Sequence, residues 1–415
     1  MRLIVPLVAA TVFALFAALY AWWPQTYAVL LEAWAVPIGE IPFIDFHAVL
    51  AAIQCHRLGE DVLVTNRCDL IGRPHVYSPL WLVLPMAADV QHTMAWGVGL
   101  AVALVIALAT LPLPATPRAV AVMLAAVLSP SVVLAVERAN NDMVVLLLAV
   151  LAGHLLARGP GLRLIAYGLL IGAALLKYYP AAALALALRE SRARFLVIAA
   201  VSLASAVALG IAFADRWAES ARLLVWVLRF GLYTFSLRNP IEYAVLDHPQ
   251  LHEQPLHGLA VAALLAVFAA LVWGWLLRLR REGLMVRLDQ PADMLLAVSG
   301  LLIAGCFVSG SSLPYRAVLV LPAFPALLSG RRSAGVVAAI LVFLLWLPLL
   351  HHAAAPLVAG GGLIGTVAGV WQALLITAKE IGWWLATSFL AAAAILPIFA
   401  FCPTSPSPNR HGRSR

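Results

Sequence analysis

Apolar runs long enough to cross a bilayer recur from one end of this chain to the other, beginning with Leu3 to Trp23. A hydrocarbon core takes roughly 20 residues of helix, and a helix satisfies its own backbone hydrogen bonds in lipid. Hydrophobic residues make up 64% and charged residues 11% of the 415, which leaves no stretch for a sizeable soluble domain. The chain therefore reads as an all-α polytopic membrane protein. Residues 1–401 are expected to form a single integral membrane domain, and 402–415 a basic, disordered cytoplasmic tail rich in Pro, Ser and Arg. The first run follows Met1-Arg2 without a small-residue cleavage pattern, so it is expected to be retained as an anchor.

Apolar runs predict membrane helices near 3–23, 91–111, 119–136, 142–157, 195–214, 256–277, 292–309, 314–329, 334–351 and 381–401, in a bundle of about 10–12. The segment from Leu164 to Leu188 is the exception, because Lys177-Tyr178-Tyr179-Pro180 lies in its middle. A charge at the bilayer centre is costly, and proline removes a backbone donor. A broken, re-entrant pair of half-helices resolves the conflict. With the N-terminus cytoplasmic and this segment re-entrant, Arg2, Arg118, Arg158, Arg163, Arg189, Arg192, Arg194, Arg278, Arg280, Arg281, Arg287, Arg331, Arg332, Arg410, Arg413 and Arg415 all fall inside. A single crossing would swap every cluster from Arg189 onward and break the positive-inside rule. Both termini are thus expected in the cytoplasm, and the polar segments 24–90, Glu137 to Asp142, 215–255, Ser309 to Arg316 and 352–380 outside it. The +8 net charge is spread as helix-flanking clusters without aromatic interleaving, which excludes nucleic acid as a partner.

Polar residues on the expected outer side carry the chemistry. After Asp45, the apolar positions Phe46, Val49, Leu50 and Ile53 predict an amphipathic helix lying on the membrane surface. Asp45 is its candidate N-cap, a general base, or both. Cys55 and Cys68 share the same loop and are placed to pair if it faces an oxidising compartment, whereas Cys306 and Cys402 sit in apolar runs as packing residues. Glu137-Arg138-Ala139-Asn140-Asn141-Asp142 is either a solvated connector or a set of closely spaced donors and acceptors for sugar hydroxyls. Lys177, Tyr178 and Tyr179 offer a cation and phenols suited to a lipid-borne phosphate. Arg316 follows Ser309-Gly310-Ser311-Ser312-Leu313-Pro314-Tyr315, as an outer-face arginine beside hydroxyls or a snorkelling helix-end residue. No nucleotide loop, dinucleotide fingerprint or zinc-protease helix is present, and the cysteine spacing does not suit zinc, so neither a cofactor nor a metal is expected. An intramembrane enzyme and a transporter remain.

The ordered set of Asp45, Tyr77-Ser78-Pro79-Leu80-Trp81, the Glu137 to Asp142 turn, Lys177-Tyr178-Tyr179-Pro180 and Ser309 to Arg316 resembles glycosyltransferase family 87 over residues 1–330. That group of GT-C integral membrane enzymes includes polyprenol-phosphate-mannose-dependent mannosyltransferases. The resemblance implies a GT-C-like bundle that moves a hexose, first of all mannose, with inversion from a polyprenyl-phosphate sugar to a lipid or glycan acceptor. Transfer would take place at the extracytoplasmic face of a plasma membrane such as the bacterial inner membrane. Asp45 would be the catalytic base. Lys177, Tyr178, Tyr315 and Arg316 would hold the donor phosphate, and Glu137, Arg138, Asn140, Asn141, Asp142, His47 and Tyr77 the sugar or acceptor. The chain departs from the family's Gly-Gln-x-Asn-type turn at Glu137 to Asn140, which leaves the sugar unspecified. Two non-enzymatic readings stay open: a secondary transporter with its site at the broken segment, and a lipid-carrier flippase with an outward-facing polar cavity.

Overall fold

The structure, a computed structural model, describes residues 3–84, 89–214, 234–246, 255–283, 286–329, 332–359 and 362–400. Cys402, the tail 402–415, Arg2, Arg331 and much of the expected loop 215–255 lie outside the described residues. Among those described the regular structure is all helical, and an isolated bridge between Phe235 and Ser312 stands in place of any strand. The helices are α1 Ile4–Trp22, α2 Pro24–Ala33, α3 Ile44–Arg57, α4 Leu80–Val83, α5 Thr93–Thr110, α6 Pro117–Val127, α7 Pro130–Glu137, α8 Asp142–Leu156, α9 Pro160–Leu176, α10 Arg192–Ala212, α11 Asn239–Leu246, α12 Pro255–Arg281, α13 Pro291–Ser309, α14 Phe324–Leu327, α15 Arg332–Ala359 and α16 Gly362–Ala400. Tyr179–Arg189 and Pro314–Ala323 are 3-10 segments.

Seven of these helices are long and apolar enough to span a bilayer, or eight if α6 and α7 count as one broken span. The protein is an integral membrane protein by that measure. Three further apolar stretches, Asp142–Leu156, Pro160–Leu176 and Pro314–Leu327, are shorter than a full crossing, which accounts for the shortfall from the expected 10–12. Helices α10 and α12 bury only 6% and 11% of their apolar windows, against 72% for α13 and α16. The first two are therefore peripheral, with apolar faces suited to lipid, and the latter pair form the core.

Local chemistry sets the breaks. The helix expected over 119–136 is divided at Ser129-Pro130, because proline pushes the preceding residue out of the helical region and Ser129 takes ψ 152°. Ser129 then caps α7 by accepting from Val132 N–H, and the two halves meet at 51°. Helices α8 and α9 have 15 and 17 residues. Running antiparallel at nearly equal length, they return Lys177 to the level of Asp142. After Lys177 the chain turns back: Tyr167 Oη donates to the Leu186 carbonyl at 2.9 Å and Arg163 meets Glu190 at 3.4 Å. The segment over Leu164 to Leu188 thus folds on itself as the broken hairpin that its lysine and proline require. Its returning arm is 3-10 helix, and so is most of the stretch expected as a helix over 314–329.

Two ends of the bundle differ in charge. At one end Glu190 gathers Arg163, Arg189 and Arg194, and Arg189 also donates to the Leu156 carbonyl at 2.6 Å. The other end carries α3, the α7–α8 turn, Lys177 and Arg316.

Candidate active site

Helix α3 does not lie on a surface. Ile44, Asp45, Phe46, His47, Val49, Leu50, Ala51, Ala52, Ile53 and Cys55 are all buried, so the amphipathic surface helix expected from its sequence is instead a packed internal element. Asp45 is also not its N-cap. That position belongs to Phe43, which adopts the left-handed conformation at φ 65°, and Asp45 sits inside the first turn, where a carboxylate suits the helix dipole. The ring of Phe43 packs against Gly97 of α5 so closely that a Cβ there would fall 2.1 Å from it. Backbone bonds complete the join: Phe43 N–H donates to the Glu137 carbonyl at 2.6 Å and Asp45 N–H to the Arg138 carbonyl at 3.1 Å. Ala139, in the facing turn, is a second non-glycine residue in left-handed conformation, at φ 43°. Strain of this kind persists where the surroundings over-determine the backbone, and two of the three such residues described, the third being Ala35, flank this carboxylate.

That carboxylate is fully engaged. Arg138 grips it with Nε to Oδ2 at 3.0 Å and Nη2 to Oδ1 at 2.8 Å, Asn140 Nδ2 donates to Oδ2 at 2.7 Å, and Arg73 Nη1 reaches Oδ1 at 3.4 Å. Two oxygens offer about four lone-pair directions, so all are used. Arg73 belongs mainly to Asp69, which it meets at 2.9 and 3.0 Å, and it also donates to the Ile44 carbonyl at 2.7 Å. Burial alone would raise the Asp69 carboxyl, but its hydrogen bonds and charge pairing with Arg73 outweigh that and hold it below the usual aspartate value.

A second cluster is built on Asp142 at the start of α8. Lys177 Nζ lies 2.6 Å from Oδ1, Arg316 Nε lies 3.4 Å from Oδ2, and the Tyr179 hydroxyl donates to Oδ1. Arg316 is further held by the Ser311 carbonyl at 3.3 Å and Ser312 Oγ at 3.1 Å, so it folds inward instead of snorkelling. Two cations face one carboxylate, leaving a net positive charge in a site where Asp142 is wholly buried. Neither Lys177 Nζ nor Arg316 Nε makes a hydrogen bond beyond its ion pair.

The clusters are one amide apart. Asn140 donates to Asp45 while its Oδ1 accepts from Asp142 N–H at 3.0 Å. Tyr77 and Tyr315 lie within electrostatic reach of both aspartates, and Lys177 sits 5.5 Å from the Tyr77 ring centre. Burial, and next the Asp45 charge, pushes the Tyr77 phenol well above its ordinary value, so it stays a neutral hydroxyl. Asn141 is buried with both amide atoms unpartnered, as is Glu137 Oε2. Such groups are costly unless something bonds them.

No protein-family model, no curated protein and no solved structure matches this chain. Geometry alone therefore sorts the sequence candidates. It brings Asp45, Arg138, Asn140, Asp142, Lys177, Tyr77, Tyr315 and Arg316 together, with Glu137 and Asn141 at the margin. Tyr178 is 54% exposed and within electrostatic reach of Arg316, whereas Tyr179 is buried and bonds Asp142. His47 is turned to Thr93 Oγ1 at 3.0 Å. Cys55 and Cys68 form a disulfide. Sequence reasoning missed Asp69 and Arg73, although they carried a signal as opposite charges four residues apart.

A narrow cleft lies elsewhere, lined by Phe235, Trp383, Pro314, Ala317, Lys379 and His351 among others. Pro314 and Ala317 occupy a face of their 3-10 segment different from that of Tyr315 and Arg316. Its lysine is already paired with Glu380 at 3.0 Å, and its walls are mostly apolar. The buried charges, not this cleft, mark the candidate site.

Proposed function

We propose that the protein is an inverting glycosyltransferase of the GT-C type. In this reading it moves a hexose, mannose first of all, from a polyprenyl phosphate to a hydroxyl of a lipid or glycan acceptor. The observation that carries the proposal is the pairing of a positively charged, donor-rich cluster at Lys177 and Arg316 with a carboxylate one amide away at Asp45. The acceptor oxygen attacks the anomeric carbon, the bond from that carbon to the phosphate oxygen breaks, and its electron pair leaves with the phosphate. Asp45 takes the acceptor proton. Lys177 and Arg316 stabilise the charge gathering on the phosphate, which leaves already ionised and needs no strong acid. Asn141 and Glu137 supply unpartnered polar atoms for sugar hydroxyls. The arginine-rich end around Glu190 suits the cytoplasm under the positive-inside rule, which supports an extracytoplasmic site at the opposite end.

The test uses purified protein in nanodiscs with prenyl-phosphate mannose, glucose and galactose offered in turn, and alkyl glycosides as acceptors. Mass spectrometry and anomeric NMR should find one sugar on the acceptor with inverted configuration. Movement of a fluorescent prenyl-linked sugar across proteoliposomes with no product from any pair would favour a transporter or flippase instead.

A further inference from the structure

The Asp45 carboxylate cannot receive a proton from an acceptor hydroxyl while all its lone-pair directions are occupied. One donor must give way. Arg138 and Asn140 approach at 2.7 to 3.0 Å, but Arg73 stands at 3.4 Å, the longest of the four contacts. What holds it back is visible. Asp69 takes two guanidinium hydrogen bonds at 2.9 and 3.0 Å and also the Arg73 backbone N–H at 2.9 Å. Asp69 is itself fixed, because the preceding residue, Cys68, is joined to Cys55 on the helix that carries Asp45. Besides Arg73, Asp45 is faced by Arg138, Asn140 and Glu137 from the α7–α8 turn, by Tyr77 from the chain before α4, and by Tyr315 from the 3-10 segment after α13. Apart from Asp45 and Asp69, Arg73 bonds the Ile44 carbonyl at 2.7 Å, a backbone contact that side-chain variants at Asp69 leave in place.

We infer that Asp69 is a positioning residue that holds Arg73 at the far limit of its contact with Asp45, so that this bond is the one that yields Oδ1 to the acceptor hydroxyl. This rests on the reading of Asp45 as the base. The disulfide ties the residue before Asp69 to the helix that carries Asp45, which makes the long Arg73 contact a built feature of the loop between α3 and α4.

The experiment is a double-mutant cycle of Asp69→Asn and Arg73→Gln. It has two readouts: mannose transfer from prenyl-phosphate mannose to an alkyl mannoside, and the isotope-edited infrared carboxylate stretch assigned to Asp45 by its loss in Asp45→Asn. Asp69→Asn should let Arg73 close on Asp45. That lowers kcat/KM for the acceptor about tenfold, leaves the donor KM unchanged, and moves the stretch. Adding Arg73→Gln should recover most of the rate and move the stretch back beyond its wild-type position. A double variant as slow as Asp69→Asn alone, with an unmoved stretch in both, overturns the inference. A stretch that moves as expected while transfer ignores it upholds the positioning of Arg73 and overturns the base reading. Should Asp69→Asn fail to fold, Arg73→Gln alone decides, because a wild-type stretch in that variant also overturns the inference.

Discussion

Asn140 holds Asp45 by one atom and the start of α8 by another: its Nδ2 lies 2.7 Å from Asp45 Oδ2, and its Oδ1 lies 3.0 Å from Asp142 N. The side chain is fully buried. It therefore fixes the proposed base relative to the cluster at Lys177 and Arg316, and its loss should disturb geometry more than binding. Asn140→Ala is expected to lower transfer roughly ten- to hundredfold, the range for a hydrogen bond to a charged group. The donor KM should change little. Steady-state kinetics in nanodiscs check this, and a raised donor KM at unchanged kcat would count against it.

Asp142 neutralises two buried cations, so truncating it strands both. Asp142→Ala should destabilise the protein by about 3–5 kcal/mol. Adding Lys177→Met should return part of the loss, because one stranded charge disappears with it. Thermal melting in detergent tests the order, and a double variant less stable than the single one would refute it.

The Cys55–Cys68 disulfide closes a loop between residues 13 apart. For a loop of that size the link is worth about 3 kcal/mol. Peptide mapping of non-reduced protein should recover the cross-linked pair, and Cys55→Ser with Cys68→Ser should melt earlier. Two freely alkylated thiols in the untreated protein would remove this element.

His47 gives a pH signature. Burial disfavours its imidazolium, Asp69 opposes that, and Arg73 reinforces it, so the group titrates below its ordinary value of 6.5. Between that value and the lower folded one, the unfolded chain binds a proton that the fold does not. Stability is therefore complete above about pH 6.5 and falls as the pH drops through this window. Asp69 stays charged throughout it and adds no slope there. Melting temperatures from about pH 7 to 5 should decline more steeply in the wild type than in His47→Gln. Parallel curves would contradict the assignment.

The helical membrane architecture was readable because lipid imposes one rule on every apolar run, and Lys177 with Pro180 marked where a single crossing was impossible. The break at Ser129-Pro130 was equally written in the sequence as a proline boundary, though the apolar run concealed it. Residues around Asp45 were found by their polarity amid apolar neighbours. Their partners were harder, because Arg73 and Asp45 are 28 positions apart and only the folded loop brings them together. The same holds for the choice of Tyr179 over Tyr178, where the returning 3-10 segment decides which ring faces inward. Asp45 looked like a cap because a carboxylate opened an amphipathic pattern. The facing turn from Glu137 to Asn140 claimed its side chain instead.

Transfer by Asp45→Asn tests the central claim most directly. A positioned general base contributes about 10²- to 10⁴-fold, so this variant, inserted and melting as a folded protein, should lose transfer by at least about a hundredfold while still binding prenyl-phosphate mannose. A folded Asp45→Asn protein that moves the sugar at the wild-type rate would contradict the account.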